Sequence, residues 1–290
     1  MRKRLFSLLL ALAVLFSFAG CAGPKTETKY ILMEFETTMF NGSVQKTVHH
    51  YDENWVMTGS TVYRDGDVDT EIVYEQNERG DVVSITYTTA GQTQKEEYVC
   101  TYDEKGNLVQ IDTYVDGEKA SSTTTERTYD ENGVLVSQIQ RSEQAIYEHY
   151  YNPDGSVAKV VSHLLYLNDT STTEYTYDEN GNETRIVVYD ASGNLVSETS
   201  ASYDKDGRIL VSVDTSYNEN GTPVTSSTSE FTWEGLVKTA HILNTDGTET
   251  HRTVTEYDEA GNIIRHEIYS GDQLHNKQVM IYQKVEIPVK

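Results

Sequence analysis

The feature that most constrains the fold is a short turn motif that returns along most of the chain: Tyr, Asp, two mostly polar residues and Gly, often followed by Asn. Copies begin at Tyr102, Tyr129, Tyr151, Tyr177, Tyr189, Tyr203, Tyr217 and Tyr257. Asp at the start of such a turn accepts hydrogen bonds from backbone amides two residues on, and Gly takes a positive φ without a Cβ clash. Copies at regular spacing predict an array of hairpins, in which each unit needs its neighbours.

Weaker turn signals lie between most of the strong ones, at Asp65-Gly66, Ala90-Gly91, Asp116-Gly117, Ser192-Gly193, Asn220-Gly221, Asp246-Gly247 and Gly271-Asp272. The flanking segments are rich in Val, Ile, Thr and Tyr, which favours strands. The pattern predicts an all-β antiparallel meander of roughly sixteen to twenty strands. A sheet of this size usually coils, closes or splits, so we expect one long, twisted, curved sheet, either open or rolled toward an open barrel or spiral. Asn54-Trp55 and residues 276–290 depart from the pattern and predict atypical ends.

These Tyr-Asp-x-x-Gly-Asn-x-hydrophobic units resemble the YD repeats of the bacterial RHS family over about residues 51–275. The resemblance implies extended β-structure that wraps into spiral sheets or hollow shells, and a surface location. The units here are longer than the usual YD repeat and carry an intervening weaker turn. The chain also lacks the self-cleaving core segment and the toxin tip that such shells serve. A link to polymorphic toxins therefore rests on analogy alone.

The amino terminus has the layout of a cleaved export signal: the basic residues Arg2 to Arg4, a mostly apolar run from Leu5 to Phe18, and small residues before Cys21. As a helix the run would rise only about 21 Å, which is too short for a hydrocarbon core of about 30 Å. The stretch from Phe18 to Cys21 resembles a bacterial lipobox, which implies that Cys21 is acylated. The sequence thus predicts a signal peptide over 1–20, a lipidated tether over 21–29 and a repeat domain over 30–290, exported and anchored to the cell membrane or outer membrane.

The charge balance limits the partners. The formal charge is −23, and removal of the signal takes away three basic residues and no acidic ones, which leaves −26. Such a surface repels phosphate backbones and anionic headgroups, so we expect no nucleic-acid partner and no electrostatic docking to lipid. Membrane attachment is expected through the lipid on Cys21.

No motif predicts catalysis or a cofactor. With Cys21 acylated, Cys100 has no intrachain partner, and its strand-like surroundings favour a structural role. His49 and His50 are adjacent, so on a strand they point to opposite faces and do not share a metal. The segment from Asp178 to Asn182 fails the EF-hand spacing. We therefore predict a non-enzymatic protein without a cofactor or a bound metal.

The leading functional hypothesis is an envelope or surface protein whose sheet binds a glycan or protein, or acts as a structural spacer. Tyr provides large contact area at low entropic cost, and this chain has 21 Tyr against 6 Phe and 2 Trp. Equivalent tyrosines are expected to form a cross-strand aromatic ladder, which could equally serve only to pack the sheet. The predicted contact residues are Trp55, Tyr102, Tyr177, Tyr203 and Trp233. The competing hypothesis is an envelope carrier or hydrolase that encloses a lipid or glycan. A concave, strongly apolar interior would favour it, and a sheet solvated on both faces would count against it.

Overall fold

The structure is a computed structural model that describes residues 26–288. The predicted signal peptide and the predicted acylation site Cys21 lie outside this range. The first strand begins at Thr26, within the segment predicted as a tether. Within residues 26–288 the chain forms strands and turns, and no helix there is long and apolar enough to cross a membrane.

Twenty antiparallel strands follow one another along the chain. They are β1 (Thr26–Met39), β2 (Val44–Tyr51), β3 (Met57–Arg64), β4 (Asp67–Gln76), β5 (Val82–Thr89), β6 (Gln92–Tyr102), β7 (Leu108–Val115), β8 (Glu118–Tyr129), β9 (Leu135–Arg141), β10 (Ala145–Tyr151), β11 (Val157–Leu164), β12 (Asp169–Tyr177), β13 (Glu183–Asp190), β14 (Leu195–Tyr203), β15 (Ile209–Tyr217), β16 (Pro223–Glu234), β17 (Val237–Leu243), β18 (Glu249–Tyr257), β19 (Ile263–Ser270) and β20 (Gln273–Pro288).

Each strand pairs with the next one in sequence, and the first strand, β1, pairs with the last, β20. The closing ladder runs from Thr26 opposite Pro288 to Met39 opposite Asn276, with a β-bulge between Leu32 and Glu34. The predicted all-β meander is confirmed, and the sheet closes completely into a barrel. Residues 276–288, which belong to the segment expected to be an atypical end, supply the β20 side of this ladder. Closure leaves none of the twenty described strands with an edge open to another chain.

The strong turns share one hydrogen-bonding pattern. In the turn after β12, the backbone N–H of Asp178 donates to the carbonyl of Asn182 (2.9 Å), and the carboxylate of Asp178 accepts from the N–H groups of Asn180 (2.9 Å) and Asn182 (2.8 Å). Gly181 then takes a φ of 81°. Trp55 occupies the corresponding position after β2, where it adopts a φ of 62°. The departure at Asn54-Trp55 therefore changes the residue and keeps the turn.

All even-numbered strands run toward the same end of the barrel. This end of the barrel also holds the first residue of β1, Thr26, and the last residue of β20, Pro288, and we call it the terminal end. The opposite end is the far end. The turns at the terminal end are mostly of the five-residue type, whereas tight two-residue turns such as Asp65-Gly66 are concentrated at the far end.

The pairing registers divide the side chains into two faces. Directly opposed residues share a face, and following the pairs around the closed ring gives one set that contains Ser60, Ile72 and Phe231, and another that contains Glu34 and Arg185. The registers shift in one direction around the ring, and the strands of a closed barrel coil with a fixed hand. The direction of the register shift gives the order of the strands around the barrel, and the direction of the turn hydrogen bonds gives the side of the sheet on which each side chain lies. Together they place the set with Ser60 on the inner face and the set with Glu34 on the outer face.

The barrel has no dense core. The buried apolar residues are few: Ile72, Ala145, Val187, Ala240 and Val285. Each strand contacts only its two sheet neighbours, so the opposite walls stand apart. A circular barrel of twenty strands spaced about 4.8 Å apart and tilted by about 40° would be roughly 40 Å across. The stability of this fold therefore depends mainly on the closed hydrogen-bonded ladder.

The outer face carries ion pairs between neighbouring strands. Lys46 pairs with Glu34 (2.6 Å), and Arg185 pairs with Glu198 (2.8 Å). Within one strand, β19, Glu267 is only 6% exposed and accepts from Arg265 (3.0 Å). The inner face instead carries many hydroxyl and amide side chains, among them Ser121, Thr123, Gln138, Gln140, Ser162, Ser171, Thr173, Ser197, Thr199, Ser212, Ser227 and Ser229. Both surfaces of the sheet are polar.

Closure can be tested by cross-linking. Glu36 and Val279 are directly opposed on β1 and β20, where the Cα separation of an antiparallel pair fits a disulfide. In a Cys100→Ser chain that begins at Ala22, we expect Glu36→Cys with Val279→Cys to oxidise to an intramolecular disulfide, detected by non-reducing electrophoresis and peptide mass. The matched control, Glu36→Cys with Met280→Cys, places the second thiol on the other face and should not cross-link. Equal cross-linking of both pairs would contradict the register.

The turn carboxylates predict acid sensitivity. Asp130 accepts from the N–H groups of Val134 (2.8 Å) and Asn132 (2.9 Å), and these bonds hold the pKa of Asp130 below its ordinary value. Such a group contributes stability above its unfolded pKa of about 3.9, and this stability is lost as the pH falls through the lowered pKa. Asn218 makes the same bonds without a charge. We expect Asp130→Asn to keep the turn and to lose less thermal stability on acidification than the parent, measured by circular dichroism. Parallel losses in both proteins would contradict this.

Candidate functional site

An aromatic ring lines the inner face at the terminal end. Each even-numbered strand from β2 to β18 places one inward side chain at or next to the turn that follows it, and β20 adds Tyr282. The set is Tyr51, Gln76, Tyr102, Tyr129, Tyr151, Tyr177, Tyr203, Trp233, Tyr257 and Tyr282. We call this set the terminal aromatic ring. All of its members except Gln76 are aromatic. The ring arises because side chains alternate along a strand, so residues at equivalent positions share a face.

The five predicted contact residues all lie at this end. Tyr102, Tyr177, Tyr203 and Trp233 belong to the terminal aromatic ring. Trp55 lies in the neighbouring turn, with its ring centroid 6.2 Å from that of Tyr51. The structure thus brings together residues that are far apart in sequence.

Polar atoms of the ring members bond to the backbone of the neighbouring strand. The bonds run from the Tyr51 hydroxyl to the carbonyl of Leu32 (2.7 Å), from Tyr177 to Val157 (2.9 Å), from Tyr203 to Glu183 (2.7 Å), and from Trp233 Nε1 to Ile209 (3.1 Å). Three of the acceptors are the first residues of β11, β13 and β15. A side chain held sideways in this way lies along the barrel wall. One face of its aromatic ring is then directed toward the lumen.

The phenol groups are held in the neutral form. Burial raises the pKa of Tyr177 and Tyr203, and the nearby carboxylate of Glu183 raises both further. Burial also raises the pKa of Tyr102, whose hydroxyl donates to the carboxylate of Asp81. These side chains therefore act as hydrogen-bond donors around neutral pH.

Cations from the turns lie over part of the ring. Each comes from the preceding turn at the same end. Arg79 lies 4.3 Å from the ring centroid of Tyr102, Lys105 lies 5.6 Å from that of Tyr129, and Arg208 lies 5.9 Å from that of Trp233. Such contacts stabilise both groups by cation–π attraction. Among residues 26–288, no cation lies over the rings of Tyr177 and Tyr203.

A second layer lies one inward position deeper in the barrel. It consists of His49, Tyr74, Cys100, Arg127, His149, Tyr175, Ala201, Phe231, Thr255 and Met280. Burial lowers the pKa of His49 and His149, which favours neutral imidazoles. Burial raises the pKa of the Cys100 thiol, which favours the unreactive protonated form. The layer is therefore largely uncharged.

The described residues offer no group of His, Cys, Asp and Glu side chains with the geometry of a metal site. His49 contacts Ser60 on the inner face (2.8 Å), and His50 contacts Thr61 on the outer face (2.8 Å). The prediction that these adjacent histidines diverge is confirmed.

Sequence reasoning missed Tyr51, Tyr129, Tyr151, Tyr257 and Tyr282 as members of the same site. The first four carry the same signal as the selected residues, a tyrosine directly before a turn, whereas no turn follows Tyr282. The expected aromatic ladder also differs in the structure. An odd-numbered strand separates successive ring members, so their backbones stand about 10 Å apart. Within the described part of the chain, one neighbouring pair of ring members stacks, Trp233 with Tyr257 at 5.9 Å.

The backbone bonds of the ring predict a measurable stability loss. Removing the hydroxyl in Tyr177→Phe or Tyr203→Phe leaves a strand carbonyl without its donor, so we expect each variant to lose about 1 kcal/mol of unfolding free energy, measured by denaturant titration. Tyr189→Phe is the matched control, because the Tyr189 hydroxyl bonds to nothing within residues 26–288. A loss in Tyr189→Phe equal to that in the ring variants would contradict the assigned role.

One family and several solved structures are similar to this chain. The MORN repeat variant family matches residues 123–141, which contain the turn between β8 and β9. No curated protein sequence matches the chain. The structure of TcdB2-TccC3-Cdc42 is 13% identical with a TM-score of 0.37, over 79% of this chain and 15% of that one. This chain therefore corresponds to about one seventh of that relative's length.

Two further solved structures are similar to the barrel. The Tc holotoxin pore of Photorhabdus luminescens is 13% identical with a TM-score of 0.32, over 80% of this chain and 16% of that one. A porin-like protein from Bacteroides uniformis is 10% identical with a TM-score of 0.40, over 88% of this chain and 96% of that one. The repeated turns and the twenty hairpin-linked strands establish this chain as a β-hairpin repeat protein.

Proposed function

We propose that this protein is a lipid-anchored, non-enzymatic component of the bacterial envelope whose barrel serves as a binding scaffold. An export signal followed by the lipobox-like stretch before Cys21 supports the anchor. The barrel begins at Thr26, a few residues beyond that cysteine, and the start of β1 and the end of β20 both lie at the terminal end. Lipid on Cys21 would attach the barrel at one end and leave the far end projecting. We also assign the hairpins to the YD type.

The terminal aromatic ring is the single observation that carries a binding role. Many aromatic side chains converge on one mouth of a hollow barrel, although few apolar side chains of residues 26–288 are buried elsewhere. Inward tyrosines with fixed side chains give contact area without further ordering. A ring that served only to pack the sheet would not need to lie at an open mouth.

A binding role fits the side chains better than catalysis does. Burial raises the pKa of the Cys100 thiol, and on the outer face an arginine partner lowers the pKa of Glu198, whereas tyrosine and arginine partners lower the pKa of Glu267. These groups are engaged in structural contacts. The competing lipid carrier needs a strongly apolar interior, and the hydroxyl-rich inner face disfavours it. Association with polymorphic toxins is supported only by the resemblance to RHS proteins.

The anchor can be tested in bacterial cells. We expect the full-length chain to incorporate labelled palmitate and to fractionate with membranes, and Cys21→Ser to lose both properties. Cys100→Ser is the matched control. Cys100 lies within strand β6, so we expect this substitution to leave labelling unchanged. Labelling that persists in Cys21→Ser, or an absence of labelling in the full-length chain, would contradict the proposal.

A further inference from the structure

We propose that the lumen at the terminal end binds a linear, uncharged glycan, whose sugar rings stack on the terminal aromatic ring. This inference rests on the proposed function, since it takes the barrel to be a binding scaffold and names its ligand class. The argument uses the orientation of the aromatic rings, the lining below them and the charge of the molecule.

The orientation of the ring members suits stacking. Tyr177 and Tyr203 use their hydroxyls to bond sideways to the carbonyls of Val157 and Glu183. Each side chain is therefore held against the wall, and its flat face remains available to the lumen. Apolar C–H faces of sugars pack against such aromatic faces, whereas an apolar tail gains little from a ring bordered by polar groups.

The spacing of the ring also suits a polymer. Successive members lie on alternate strands, about 10 Å apart along the wall. This is roughly the length of two sugar units in an extended chain, so one glycan could contact successive members as it follows the wall. Tyr177 and Tyr203 on β12 and β14 are such a neighbouring pair, and neither is covered by a cation among the described residues.

The lining below the ring supplies polar partners. Inward hydroxyl and amide groups on β9 and on β12 to β15 include Gln138, Gln140, Thr173, Ser197 and Ser212. These groups donate and accept hydrogen bonds without a net charge, and so match sugar hydroxyls and acetamido groups. Two neutral histidines, His49 and His149, lie in the second layer.

The charge of the protein selects against acidic polymers. The chain carries 46 acidic and 23 basic residues, and acidic side chains occupy the turns at the terminal end, as at Asp103, Asp178 and Asp204. A polyanion approaching this mouth meets repulsion. Cations also lie at this mouth, over Tyr102, Tyr129, Trp233 and Tyr257, and one of them, Arg208, is paired with the carboxylates of Asp204 (2.9 Å) and Asp206 (3.4 Å).

The test uses the full mature protein, purified from whichever cell fraction holds it, in detergent. The probes are three neutral hexasaccharides, namely the β-1,4-linked N-acetylglucosamine oligomer, cellohexaose and maltohexaose, and an acidic oligogalacturonate of matched length. Binding is followed by calorimetry and by tryptophan fluorescence, because Trp55 and Trp233 lie at the site. We expect saturable binding of at least one neutral probe, and binding of the acidic probe that is weaker by about tenfold or more.

Variants locate the site. The double variant Tyr177→Leu with Tyr203→Leu removes two stacking faces and should weaken binding by about tenfold or more. The matched control is Tyr114→Leu with Tyr189→Leu, two outward tyrosines near the far end, which should bind normally. Circular dichroism must show that each variant remains folded.

Three results would overturn the inference: no saturable binding of any neutral probe at millimolar concentration, stronger binding of the acidic probe, or equal losses in the inward and outward leucine variants. The palmitate experiment tests the lipid anchor separately. A protein that binds the glycan yet takes up no palmitate would refute the lipid anchor and leave this inference standing. A membrane-anchored protein that binds no neutral probe would refute this inference and leave the lipid anchor standing.

Discussion

Pairing of the first strand with the last is the constraint on which the rest of this structure depends. The twenty strands bury few apolar side chains, and each touches only its neighbours, so no central core holds the walls in place. The ladder between β1 and β20 turns a long meander into a ring in which every strand has two partners. It also fixes the curvature and thereby decides which face is the lumen. Without this ladder, two long edges would be open to other chains.

Side chains alternate between the two faces of a strand, and this alternation decides whether each tyrosine lies on the inner or the outer face. At the terminal end, the aromatic residue that precedes most turns falls on the inner face and contributes to the terminal aromatic ring. At the far end, Tyr63, Tyr114, Tyr189 and Tyr269 also precede turns, yet they fall on the outer face. The same sequence signal thus gives opposite placements, because strand length and register set the face. One mouth of the barrel is aromatic inside, and the other is aromatic outside.

Much of the fold could be predicted from local sequence. Turn residues such as those after Asp103 and Asp178 mark hairpins, because an Asx side chain and a left-handed glycine act within a few residues. The turns at 142–144 and 165–168 lack glycine and could not be found in this way. Closure could not be predicted either, since Thr26 and Pro288 meet only when the twist of every intervening strand has accumulated. The side of the sheet that faces inward depends on that same accumulation.

The candidate site shows the same division. The repeated motif pointed to Tyr102, Tyr177 and Tyr203, because a residue type that recurs before a turn is visible in the sequence. Their convergence on one mouth was not visible, since it depends on all even-numbered strands running the same way in a closed ring. Tyr282 completes the ring at the last strand, where no turn follows to mark it.

The position of the two chain ends has a consequence for access. If Cys21 carries lipid, only the residues between it and Thr26 separate the bilayer from the barrel, and a fully extended link of that length reaches less than about 20 Å. The aromatic mouth would then open onto a narrow gap above the membrane, and the far mouth would face away from it. A folded protein could not enter that gap, whereas a flexible polymer could slide in from the side or pass down the barrel. The short link between Cys21 and Thr26 would thereby limit the size of the ligands that can reach the aromatic mouth.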